Sequence, residues 1–293
     1  MKYSIALIAA YASYVSAHGV IASVQGANGV NMPGLSVADG TPRDCASPAC
    51  GSEADTSIIR AKEMGGKASA LGRTKAGPVD ANAAIATFMG SGAGAATGAA
   101  TQKRGLLDAL TGGAGGAGAG KAGAAGGAAS AAGTKTPKGT VETGVKAAAG
   151  TGASSGLPTT ADDGTISMTF HQVNQDGAGP LTAQIDATSG GTDPAAFQDA
   201  TVTQDVPGIG IGGLSAASTM DFPVKVQMPQ GMTCSGSAGG ASNVCIVRMQ
   251  NSALAGPFGG SAAFTQSAAA KKRAVEFNLR KRHMARGILG KPE

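Results

Sequence analysis

Between residues 90 and 156 the chain carries very little side chain to bury, and this limits what it can fold into more than any other feature. The stretch 111–132 reads TGGAGGAGAGKAGAAGGAASAA. Gly and Ala offer little apolar area to set against the entropy of fixing a backbone, about 1–2 kcal/mol per residue. Residues 90–156 are therefore expected to form a long disordered Gly/Ala-rich insertion. One apolar island, Leu106-Leu107-Asp108-Ala109-Leu110, suits a helical turn. A core must then come from two separated pieces, 18–89 and 157–267, in a chain where aromatics are scarce and Trp is absent.

The second piece reads as β. Residues 165–170 (TISMTF) alternate apolar and polar side chains, as do 181–185. The runs 200–206 (ATVTQDV), 222–228 (FPVKVQM), 244–249 (VCIVRM) and 262–266 follow. Gln175-Asp176-Gly177, Ser189-Gly190-Gly191, Pro207-Gly208 and Pro229-Gln230-Gly231 mark turns between them. Short strands at this spacing, without intervening helices, predict an all-β antiparallel sandwich of the immunoglobulin kind. Residues 20–24 add an N-terminal strand. Residues 54–65 (ADTSIIRAKEMG) read as a short helix, with Asp55 or Thr56 near its cap and Gly65 at its end.

The N-terminus reads as a secretory leader. Lys2 precedes an apolar run at 5–12, and Val15-Ser16-Ala17 offers small residues for cleavage before His18. The run is shorter than the roughly 20 residues a membrane span needs, so no stable membrane insertion is expected. Four cysteines fall into two close pairs, which in an oxidising compartment predicts Cys45–Cys50 and Cys234–Cys245 disulfides. No Asn-x-Ser/Thr acceptor occurs in the chain.

The net charge of +5 is concentrated at one end. Residues 268–293 hold eight Lys and Arg against two Glu, +6, which leaves −1 for everything before. A near-neutral body offers no phosphate-binding surface, and no nucleic-acid partner is expected. The basic tail, with mixed charged and apolar residues over 274–284, suits a helix. Its two polybasic runs, Lys271-Lys272-Arg273 and Arg280-Lys281-Arg282, are of the kind processing proteases recognise, or else a solvated tail.

Motifs for known chemistry are few. The glycine tracts lack a Gly-Lys-Ser/Thr phosphate loop, and no Gly-x-Ser-x-Gly elbow stands with a plausible His and acid. Asp162-Asp163 sits in a turn, where capping or solvation is expected. His18 is different, because cleavage ahead of it would join an α-amine to an imidazole in one bidentate nitrogen ligand. His171, at the end of the 165–170 strand, is the candidate for a third nitrogen. Three nitrogens in a T suit copper in its tetragonal preference. The amine loses its proton near pH 8, so such binding weakens in acid.

Several stretches carry a resemblance: Ala17-His18-Gly19-Val20, GTPRD at 40–44, HQVNQDGAGP at 171–180, Asp221-Phe222-Pro223, SNVCIVR at 242–248 and QNSALAGPFGG at 250–260. Together they resemble the fungal appressorium-specific secreted virulence proteins, the Egh-type family or MAS/CAS group. The resemblance implies a secreted protein acting at a host surface during penetration by the infection structure. The terminal His18-Gly19 and the loop from His171 to Pro180 are in turn similar to lytic polysaccharide monooxygenases, copper enzymes on a β-sandwich. That similarity implies a host surface polymer, cuticle or cell-wall polysaccharide, as substrate. It also places Phe258 near an axial position and Gln250 close behind the metal. The competing expectation is a non-catalytic extracellular binding or structural protein at the cell surface. Ala183 and Met249 stand where the Egh-type pattern has cysteines, implying one disulfide lost as a unit, and Leu181 replaces an aromatic.

Overall fold

The computed structural model describes residues 18–91, 133–208 and 214–289. The expected leader at 1–17, the apolar island at 106–110 and most of the Gly/Ala tract lie outside the described residues. The strands are β1 Gly19–Gln25, β2 Asn31–Pro33, β3 Ser57–Ile58, β4 Arg73–Thr74, β5 Gly77–Pro78, β6 Thr134–Lys135, β7 Thr165–Gln172, β8 Thr182–Asp186, β9 Phe197–Gln204, β10 Met220–Gln227, β11 Gly236–Ala238, β12 Ala241–Gln250 and β13 Phe258–Phe264. The helices are α1 Ala81–Phe88, α2 Gly144–Ala148, α3 Gly152–Ser155 and α4 Ala268–Leu289.

Every paired strand is antiparallel, in the order β2-β1-β7-β10-β9-β8-β12-β13-β3-β4-β5, with β6 added beside β10 and β11 beside β12. The sheet curls until β1 faces β13, so its two halves stack like a sandwich. One apolar cluster fills the space between them. Ile166, Met168 and Phe170 come from β7, Val224 and Val226 from β10, Ile185 from β8 and Val247 and Met249 from β12. The sequence-based strands at 20–24, 165–170, 181–185, 200–206, 222–228, 244–249 and 262–266 all fall on observed strands, displaced by a few residues at their ends. Both expected disulfides form, Cys45–Cys50 and Cys234–Cys245. Ala183 and Met249 face each other directly across β8 and β12, so cysteines at both positions would sit within one cross-strand pair.

Two sequence expectations change. Residues 54–65 form no α-helix: Ser57–Ile58 is a strand paired with Phe258 and Gly259, and Ala61–Glu63 is one 3-10 turn. The β-branched Thr56, Ile58 and Ile59 fit a strand better than a helix once β13 offers an edge to pair with. Helix α1 was not legible as such; Asp80 caps it by accepting Ala83 N–H. The β11–β12 hairpin at Gly239-Gly240 comes so close to α1 that a Cβ on Gly239 would lie 2.3 Å from Ala86 N. Both glycines have positive φ, as a tight hairpin turn requires.

The Gly/Ala tract is also narrower than its composition suggests. Residues 133–156 carry β6, α2 and α3, tied down by acids far upstream. Asp39 accepts the N–H groups of Val145 and Lys146 at the start of α2, and Asp44 accepts Gly139 N–H. Arg43 bridges Asp55 and Glu142. The partners of these contacts are separated by 95 to 107 residues, except for the local pair Arg43–Asp55. Polar anchoring here replaces the apolar burial that the tract cannot supply.

Candidate functional site at the His18 end of the sheet

The antiparallel register of β1 on β7 decides where the two candidate ligands lie. Gly19 opposes Gln172 and Val20 opposes His171. The ladder continues one residue further, with His18 O accepting Val173 N–H at 2.9 Å. His18 and His171 are thus diagonal neighbours on adjoining strands, a relation that sets Cα atoms about 7–8 Å apart. Gly19 is what lets β1 lie this close. A Cβ there would stand 2.3 Å from Phe170 Cζ and 3.0 Å from the carbonyl oxygen of Gly177.

Each ring is held by a different partner. His171 is 1% exposed, and its Nδ1 lies 2.7 Å from Asp221 Oδ1, from the residue directly opposite on β10. This contact fixes the ring and leaves its buried Nε2 without a hydrogen-bond partner among the described residues. His18 Nδ1 lies 3.0 Å from Glu53 Oε1, and its ring packs on Phe258 with centroids 4.6 Å apart. The backbone N–H of His18 donates to Asn174 Oδ1 at 2.8 Å.

The loop after β7 completes the surroundings. Gln172 Nε2 donates to the carbonyls of Asn174 and Ala217 and to Ser215, which pins the loop's start. Asn251 Nδ2 donates to the carbonyls of Asp176 and Ala178. Burial pushes the Glu53 carboxyl above its ordinary range, with the nearby charge of Asp176 adding to the rise and Lys75 opposing it. Burial likewise pushes Asp176 up.

Sequence reasoning named His18 and His171, and the resemblance added Phe258; the structure sets the two histidines diagonally and packs the His18 ring on Phe258. Gln250 sits at the end of β12, opposite Gly259 and Thr182. Glu53, Asn174, Asp176 and Asp221 were not singled out as site residues. Three of them lie inside the stretches that carry the resemblance, which was the available signal; Glu53 had none. Among the described residues no group of three or more His, Cys, Asp or Glu converges as a metal cage would. A two-histidine site completed by a terminal amine does not need such a group. A cleft of about 430 Å³ lies elsewhere among the described residues, between α4 and the turn after β10.

Comparison with known proteins is decisive for the family. The model of the Egh16-like virulence factor matches residues 16–259. The chain belongs to the Egh16-like family. The match takes in His18, Glu53, His171, Asp221 and Phe258 and ends before α4. This Egh16-like chain is 60% identical over 292 residues to the appressoria-specific virulence factor GAS2 of Pyricularia oryzae, covering 98% of this chain and 97% of that protein. It is 39% identical over 129 residues to the appressoria-specific virulence factor GAS1 of the same fungus, 43% of this chain and 50% of that one. No solved structure matches the chain.

Proposed function

We propose that this protein is a secreted virulence factor acting at a host surface during penetration by the appressorium, and that its processed N-terminus and His171 hold copper. The first part is supported by family membership and by 60% identity to an appressoria-specific virulence factor. Two disulfides with no free cysteine among the described residues are consistent with an extracellular protein. The second part is carried by one observation: the register places His18 and His171 diagonally, and Asp221 holds His171 so that a buried ring nitrogen stays available.

His18 would contribute its freed amine and a ring nitrogen, and His171 its Nε2. Asp221 orients the His171 ring, as an outer partner does for a ligating histidine. Phe258 packs on the His18 ring, Glu53 would have to release its Nδ1, and Asn174 receives the hydrogen on its main-chain nitrogen. Copper, when bound, supplies one-electron chemistry with oxygen species, and the substrate is a host surface polymer, cuticle or cell-wall polysaccharide. The second reading is a non-catalytic extracellular binding or structural protein. It draws on Glu53, which already engages the His18 ring in the unprocessed chain.

Copper titration of the secreted protein, its N-terminus verified by mass spectrometry, separates the two readings. One-to-one binding that is lost in His171→Ala and in a form with one extra residue ahead of His18 supports the site. Failure of the correctly processed protein to bind removes the enzyme reading and leaves the binding one.

A further inference from the structure

The C-terminal helix is the part of the chain that the site does not use. It lies beyond the family match, and it carries the chain's positive charge. Ser267 caps α4 by accepting Ala270 N–H, and Ala270 and Ala274 are buried against the body. Arg273 donates to Asp162 O and Asn278 to Gly231 O, so the first half of the helix is fixed in place. Its outward face is unusual for a docked helix. Val275 and Leu279, four residues apart and so on one stripe, are 44% and 48% exposed. Lys271 and Lys272 stand one turn before them and Arg282 one turn after. The residues from Arg280 to Met284 are all exposed.

We infer that α4 is an adsorption site for anionic lipid headgroups, holding the protein flat against a membrane surface. The chemistry is a short apolar stripe flanked by Lys271, Lys272 and Arg282, with Glu276 the one acid beside it and paired to Lys272, on a helix net positive against a body of −1. Each cation near an anionic bilayer contributes about a fivefold gain in partitioning, and the apolar pair enters the headgroup boundary. A hydrated acidic polysaccharide would reward the cations but not Val275 and Leu279, so the lipid surface is the better occupant. No helix among the described residues is long and apolar enough to cross a membrane, so the contact is adsorption. Both polybasic runs lie within this helix, a conformation that resists the extended binding proteases require and keeps the anchor attached.

The test is co-sedimentation of the secreted full-length protein with vesicles of phosphatidylcholine alone or mixed with phosphatidylserine, at low and high salt. Binding is expected to the mixed vesicles only, falling with salt. Lys271→Gln/Lys272→Gln/Arg282→Gln, the cations flanking the stripe, should lower partitioning about one hundredfold, and Val275→Ser/Leu279→Ser about tenfold. Circular dichroism and a thermal melt confirm that each variant is folded, and Lys281→Gln, on the opposite side of the helix from the stripe, should leave partitioning nearly unchanged. Equal binding to both vesicle types, or none to either, overturns the proposal. So does unchanged binding by the Val275/Leu279 variant together with displacement by soluble polygalacturonate, which would make the helix a site for acidic polysaccharide.

Discussion

Replacing Arg43 by Met should detach the ordered end of the Gly/Ala tract and loosen the segment that carries Glu53. Arg43 makes a bidentate pair with Asp55, Nη1 to Oδ1 at 3.0 Å and Nη2 to Oδ2 at 2.6 Å, and reaches Glu142 Oε2 at 3.1 and 2.8 Å. Burial draws the guanidinium pKa down, but Asp55 and Glu142 outweigh it and hold the charge more firmly than usual. Arg43 is 4% exposed and Asp55 1% exposed, so Asp55 cannot rehydrate when its partner leaves. Removing one member of such a buried pair costs about 3–5 kcal/mol, a large share of the roughly 5–15 kcal/mol that hold a domain together. Glu142 is nearer the surface and loses less. Arg43→Met/Asp55→Asn removes the stranded charge while Asn keeps an acceptor for Ala38 N–H, and should recover more than half of the loss. Urea denaturation gives the stability change, and hydrogen exchange at Gly139, Val145 and Lys146 reports the anchoring. A single-variant loss below about 1 kcal/mol, the range of a surface pair, would refute the reasoning. Unchanged exchange at those amides would do the same.

Gly19→Ala should destabilise the protein by about 1–3 kcal/mol, because its methyl group must displace the buried Phe170 ring. Gly19→Ala/Phe170→Leu should melt closer to wild type, and a double variant no better than the single one would show that the clash is elsewhere. Asp186, fully buried, accepts hydrogen bonds from Thr188, Ser189 and Gly191. Burial would raise its pKa, but those donors, Ser189 first, hold it below the ordinary 3.8. A carboxyl lowered on folding contributes stability above its unfolded pKa and loses it as pH falls through the folded value. Asp186→Asn should therefore cost about 3–5 kcal/mol at pH 7, since a charge-assisted bond is lost and Gly191 N–H meets a donor. It should also flatten the decline in stability below pH 4; an acid profile parallel to wild type would contradict this.

The strands of the C-terminal half were legible because each carries its period-2 pattern locally, and the disulfides because each pair closes a short loop. His18 and His171 were legible as residue types, but Glu53 and Asp221 were not, because only pairing between distant strands brings them within reach. Composition misjudged residues 133–156. It registers how little apolar area they offer but not that Asp39, Arg43 and Asp44, some hundred residues earlier, would satisfy their backbone and charge. The helix expected at 54–65 failed for the same reason: β13 supplied an edge that local propensity does not see. By itself the sequence determined the β class, the two disulfides and a basic C-terminal end, all properties of neighbouring residues. Tertiary structure decided which side chains meet, since the register of β1 on β7 and the acids that hold the tract depend on contacts that no local pattern encodes.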